Sequence, residues 1–169
     1  MTNKKDSGFT LIELLLYISI ASIIVFTTAS LLRFTLESRV KNQTIAEVEQ
    51  EGSQVMQLIT QTTRNATAIN SPTIGNSATS LSVTVVSGAS SPTVFDLSTG
   101  AVRIKEGASA TVNLTSSKVT VSNLNFQNLS IASTPNTIRV SFTLTYTNPS
   151  GRFEYSFSKK FYGSAGLRK

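Results

Sequence analysis

Glu13 is the one charged residue in a run of twenty-four, Phe9 to Leu32. An ionised carboxylate in hydrocarbon costs on the order of 2–3 kcal/mol or more, so an acid in such a run is usually functional. It lies four residues after Phe9, near the start of the helix that the run implies. The partial positive charge of a helix N-terminus is by itself enough to tolerate an acid there. The chemistry at stake is therefore ion pairing: either Glu13 is merely tolerated, or a cation at the same depth meets it.

Little else in the chain is chemically equipped. Its 169 residues carry fifteen Lys+Arg against nine Asp+Glu, a net charge of +6, and no Cys, His or Trp. Without Cys or His there is no thiolate nucleophile, imidazole base or disulfide, and no zinc, haem or iron–sulfur site of the usual kind. Asp96, Glu106 and Glu154 are isolated carboxylates with neither paired-acid spacing nor a metal-loop pattern. Gly-rich phosphate loops are absent. No cofactor or metal is called for, and an enzyme is not expected. Arg152, Lys159, Lys160, Arg168 and Lys169 fall among Phe153, Tyr155, Phe157, Phe161 and Tyr162, a mixture that suggests nucleic-acid contact. The favoured reading of the same residues is structural, with Phe153, Tyr155 and Phe157 alternating inward and the lysines solvated at a strand edge. Asn65, Asn113 and Asn128 match the N-glycosylation pattern, which arises by chance in a Ser/Thr-rich chain.

The elements that position Glu13 are legible. From Leu14 to Leu32 no charge occurs, and at about 1.5 Å per residue the whole run from Phe9 is roughly 36 Å of helix, enough to cross about 30 Å of hydrocarbon. No Gly or Pro occurs between Gly8 and Gly52 to stop the helix at a membrane surface. Beyond Arg33 an apolar stripe continues at helical spacing through Ile45, Val48, Gly52, Val55, Ile59, Thr62, Ala66 and Ile69. Ser71-Pro72 is expected to end the helix. The chain thus divides into a membrane-spanning half at 9–32, an amphipathic half at 33–70 and a Ser/Thr-rich β domain at 71–169. A cleaved secretory signal is the rival reading of the apolar run, with a cut at Thr27-Thr-Ala29. The acid at its head and the overshoot beyond that cut count against it.

The β domain reads as alternating strands: Leu81–Val86, Thr93–Leu97, Ala101–Lys105, Val119–Phe126, Thr137–Tyr146 and Phe153–Phe157. Asn148-Pro-Ser-Gly151 predicts a hairpin turn between the last two. Short spacers argue for an antiparallel sheet whose inner face is covered by the helix stripe, giving an α+β fold.

The stretch Lys4-Lys5-Asp6-Ser7-Gly8-Phe9-Thr10-Leu11-Ile12-Glu13, followed by the apolar run, resembles the N-terminus of type IV prepilins and type II secretion pseudopilins. The resemblance implies a leader of residues 1–8, cut after Gly8 by a membrane peptidase that also N-methylates Phe9. It implies a pilin-like fold, a mature chain that keeps its transmembrane helix, and Glu13 as the fifth mature residue acting in assembly. The cut would leave an α-amine with a reference pKa of about 7.7–8.0 on Phe9, a cation at the depth of Glu13. Paired with its own Glu13 or with Glu13 of a neighbouring copy, it would relieve two desolvated charges; the second pairing, which the resemblance implies, would also fix the axial offset between subunits.

Lys4 and Lys5 suit a cytoplasmic leader, but Arg33, Arg39 and Lys41 crowd the other end, so charge counting leaves orientation open. The resemblance puts the leader inside and the β domain outside. The expected partners are the prepilin peptidase/N-methyltransferase, other pilin subunits, the assembly platform of a pilus or secretion system, and the membrane. The expected location is the inner membrane first, then a pilus or pseudopilus. The absence of Cys, and of Gly and Pro from the apolar helix, tilts the reading toward a minor subunit. The competing function is a membrane-anchored adhesive or DNA-binding β module.

Overall fold

The computed structural model describes residues 9–131 and 136–168. The leader 1–8, with Lys4, Lys5 and Gly8, and the C-terminal Lys169 lie outside the described residues. The chain divides into two compact units, Met1–Val40 and Lys41–Lys169.

One helix, α1 (Leu11–Arg64), begins in the first unit and ends in the second. Its first part has no buried side chain, and the helix is long and apolar enough to cross a membrane. The hydroxyls of this part are satisfied locally. Ser19 donates to the Leu15 carbonyl (2.8 Å), Thr28 to Ile24 (2.8 Å), Ser30 to Phe26 (2.9 Å) and Thr35 to Leu31 (2.9 Å). Polar groups that bond their own backbone need no water, so the Ser/Thr content does not prevent residence in lipid.

In the second unit α1 buries Thr44, Val48, Gly52, Val55, Ile59 and Thr63, one stripe at steps of three and four. The expected stripe is displaced at its ends: Thr44 and Thr63 are buried, whereas Ile45 and Thr62 are half-buried. The helix also stops sooner than the periodicity predicts. Asn65 N–H closes the last turn on the Gln61 carbonyl (3.1 Å), and the Arg64 carbonyl accepts the Arg168 N–H (3.0 Å). Residues Ala66–Ser71 are strand β1, not the end of the helix. Their main-chain groups pair with β3 (Leu81–Val85), which would otherwise present an unpaired edge.

The β domain contains two antiparallel sheets where the sequence suggested one. The first has the order β1-β3-β4-β5-β6, with β4 Thr93–Ser98, β5 Ala101–Glu106 and β6 Val112–Asn113. The second has the order β2-β7-β8-β9, with β2 Ser77–Ala78, β7 Val119–Asn128, β8 Thr137–Tyr146 and β9 Ser158–Gly166. Val121 N–H donates to the Gly100 carbonyl (2.7 Å), a main-chain link between them.

Alternation drives the packing: β8 buries Ile138, Val140, Phe142 and Leu144. In β7 the register shifts between Ser122 and Asn125, with Asn123 at φ 54°. That bulge inserts a residue, so Val121 and Leu124 both face inward although three apart.

The last hairpin differs from expectation. The partner of β8 is β9, and Phe153–Tyr155 is a 3-10 turn inside the connection. Phe153 is 90% exposed, so it is not an inward position. Phe161 supplies the packing instead, its ring stacked 5.4 Å from that of Phe142. Lys41 holds the connection, its ammonium donating to the Phe153 carbonyl (3.4 Å) and the Ser156 carbonyl (2.5 Å).

Candidate functional site

The start of α1 brings three side chains together by helical spacing. Thr10 caps the helix: its Oγ1 accepts the Glu13 N–H (3.3 Å), and its carbonyl accepts the Leu14 N–H (3.2 Å). Glu13 occupies the first turn, where the helix dipole favours an anion. Its carboxylate does not bond back toward the cap. Instead Oε1 accepts a hydrogen bond from the Tyr17 hydroxyl (3.3 Å), one turn further on. The Phe9 and Tyr17 rings meet edge to face at 5.9 Å and 67°. Phe9, Glu13 and Tyr17 therefore form one continuous strip at steps of four. Leu32, at the far end of the apolar run, faces outward.

Sequence reasoning had Phe9 and Glu13 but missed Thr10 and Tyr17. The signals were available: Thr-x-x-Glu is a capping spacing, and Tyr17 stands four residues from Glu13.

The other acids are occupied structurally. Asp96 and Arg103 face each other across β4 and β5 and form a two-pronged pair at 2.8 and 2.7 Å. Glu154 meets Arg152 at 2.6 Å, and Glu106 ends β5 in solvent. Glu47 on α1 meets Lys118 at 2.9 Å, and the Lys118 hydrogen bond holds its carboxyl below the ordinary value near 4.5. Glu51 receives the Ser116 N–H (3.0 Å) and hydroxyl (2.6 Å), so these two acids pin the segment before β7 to the helix. Among the described residues no three acids converge as a metal site would require.

Among the described residues the basic and aromatic side chains are divided between separate surroundings. Lys159 is paired with Glu49 at 2.6 Å, and Phe161 is committed to the core. Arg168 instead joins Arg64 on the rim of an open cleft of about 590 Å³, lined also by Gln57, Gln61 and Asn65. Of the three glycosylation patterns, Asn128 is buried, its amide donating to the Pro72 carbonyl (2.7 Å) while its Oδ1 accepts the Ser130 N–H (3.0 Å). It is part of the fold and closed to a glycan.

Residues 3–29 match the family described as the prokaryotic N-terminal methylation motif. No curated protein and no solved structure matches the chain. With an apolar N-terminal helix packed, in its later part, on antiparallel sheets, the motif defines a class: type IV prepilin- or pseudopilin-like chains. Such a motif implies processing by prepilin peptidase, anchoring in the inner membrane and assembly with other pilins. It points to a structural protein and not to an enzyme.

Proposed function

We propose that this chain is a minor structural subunit of a type IV pilus or type II secretion pseudopilus. Prepilin peptidase removes residues 1–8 by cutting after Gly8, and Phe9 becomes the N-methylated first residue. The helix from Phe9 to Leu32 then holds the subunit in the inner membrane until it is drawn into the filament. Glu13 pairs with the Phe9 ammonium of a neighbouring copy during assembly. The observation that carries this reading is the methylation motif over residues 3–29, set on a helix whose first part buries no side chain among the described residues. The fifteen large apolar side chains that face outward from Phe9 to Leu32 need lipid or other helices to cover them.

Mass spectrometry of the mature protein tests it. The expected N-terminus is N-methyl-Phe9; retention of Met1 would leave only a tethered domain.

The second reading, an anchored adhesive or DNA-binding module, draws on the Arg64–Arg168 cleft. Among the described residues no carboxylate lines it. An anionic group would find two guanidinium groups and three side-chain amides there. A subunit with this cleft at a filament surface would combine both roles.

A further inference from the structure

We infer that Tyr17 is a positioning residue for assembly: its hydroxyl holds the Glu13 carboxylate in lipid and aims it for the ammonium of a second copy. The inference rests on the assembly role proposed for Glu13 and extends it to a residue that the methylation motif does not assign a role.

Three observations support it. First, the Glu13 backbone N–H is already satisfied by Thr10 Oγ1, while the Glu13 side chain turns away from the cap toward Tyr17. A carboxylate at this spacing commonly reaches back to its own capping residue. Here it does not, which keeps it available on the outer strip. Second, the Tyr17 hydroxyl engages Oε1 alone, and among the described residues Oε2 has no donor. A carboxylate accepts several hydrogen bonds, so one oxygen kept by Tyr17 leaves the other for an incoming cation. Third, the Phe9 ring lies edge-on to the Tyr17 ring, which restrains the phenol on the side of the strip where Glu13 stands. Tyr17 itself is outward-facing, so its hydroxyl has no core contact to explain it.

The physics favours such an arrangement. Among the described residues no Lys or Arg stands beside Glu13, and a carboxylate in hydrocarbon without full compensation is costly. A hydrogen bond to the charged form offsets part of that cost without neutralising the group. Because the donor belongs to the same helix, it needs no partner subunit. When the ammonium of a second copy arrives, Tyr17 stays in place and the carboxylate meets it already oriented.

Full-length chains carrying Y17F, Y17Q or E13Q should be expressed in the native host and compared for leader removal and for entry into sheared filaments. Y17F keeps the ring and loses the donor; Y17Q loses the ring but keeps a donor that reaches one turn back. Y17F is expected to lower entry about tenfold with leader removal unchanged, the size of one lost hydrogen bond to a charged group. Y17Q is expected to stay within about twofold of wild type. Infrared spectra of the full chain in phosphatidylcholine–phosphatidylglycerol vesicles supply a second readout. The carboxylate band of Glu13, isolated by subtracting E13Q, should shift in Y17F and not in Y17Q. Wild-type entry by Y17F, an equal loss in Y17Q, or a Glu13 band unmoved by Y17F would overturn the assignment. If E13Q itself entered filaments at wild-type level, the assembly role of Glu13 would fail as well; a defective E13Q beside an intact Y17F would remove Tyr17 alone.

Discussion

The ring of Phe161 on β9 lies directly over the backbone of Gly52 on α1, in the space a Cβ at position 52 would occupy. This contact sets how closely the helix approaches the second sheet. Gly52 is fully inside the buried stripe, and Phe161 is itself stacked on Phe142. Alanine at 52 gains about 1 kcal/mol in helix propensity but forces the ring off its site, which costs about 1–3 kcal/mol. The G52A chain in detergent is expected to be less stable by up to about 2 kcal/mol, a fall of as much as several degrees in Tm. Trimming the ring in a G52A/F161L double variant should recover part of the loss; simple additivity would show that the two do not couple. A second close approach between α1 and β9, Gly163 against Met56, involves a flexible thioether, so G163A should cost under about 1 kcal/mol.

Phe153 and Phe142 make a contrasting pair. The first is 90% exposed in the connection after β8; the second is fully buried in the core. F142A should lose about 3–5 kcal/mol in chemical denaturation, through lost burial and the cavity left behind. F153A should stay within about 0.5 kcal/mol of wild type. A large loss in F153A would restore the inward alternation suggested by the sequence.

The Glu47–Lys118–Tyr146 group predicts the pH profile. The Glu47 carboxyl is held down chiefly by its hydrogen bond from Lys118. Its contribution is therefore complete above about 4.5 and is lost as pH falls through the lowered folded value. Lys118 is raised above 10.5 by the same bond, and Tyr146 above 10.0 by desolvation and then by the Glu47 charge. Their contributions are complete below those values and are lost as pH rises through the raised ones. Urea midpoints should be flat through neutral pH and fall at both extremes. E47Q should lower the plateau and flatten the acid limb; an acid limb unchanged in E47Q would place its origin elsewhere.

At the N-terminus, replacing Gly8 with a bulky residue should leave the chain at precursor length on a denaturing gel. E13A should be trimmed normally yet be depleted about tenfold or more from sheared filaments, roughly 1.4 kcal/mol or more of lost assembly energy. Filament entry of E13A equal to wild type would remove Glu13 from assembly.

The sequence alone determined the long apolar run, the helix that carries it on into a buried stripe, and the place of Glu13 as the lone acid within that run. These follow from periodicity and from the cost of charge in lipid, both properties of neighbouring residues. The strands β3, β4, β5 and β8 were legible for the same reason. Only tertiary structure decided where α1 stops, because Ala66–Ser71 fits the helix stripe yet is claimed by the open edge of β3. It also decided that β9, not Phe153–Phe157, pairs with β8: both segments alternate, but only Ser158–Gly166 runs in main-chain register with β8, with Phe161 stacked on Phe142. The split into two sheets likewise required knowing which surfaces meet. Local pattern fixes what a segment can become, whereas competition for hydrogen bonds and buried area among distant segments selects what it does become.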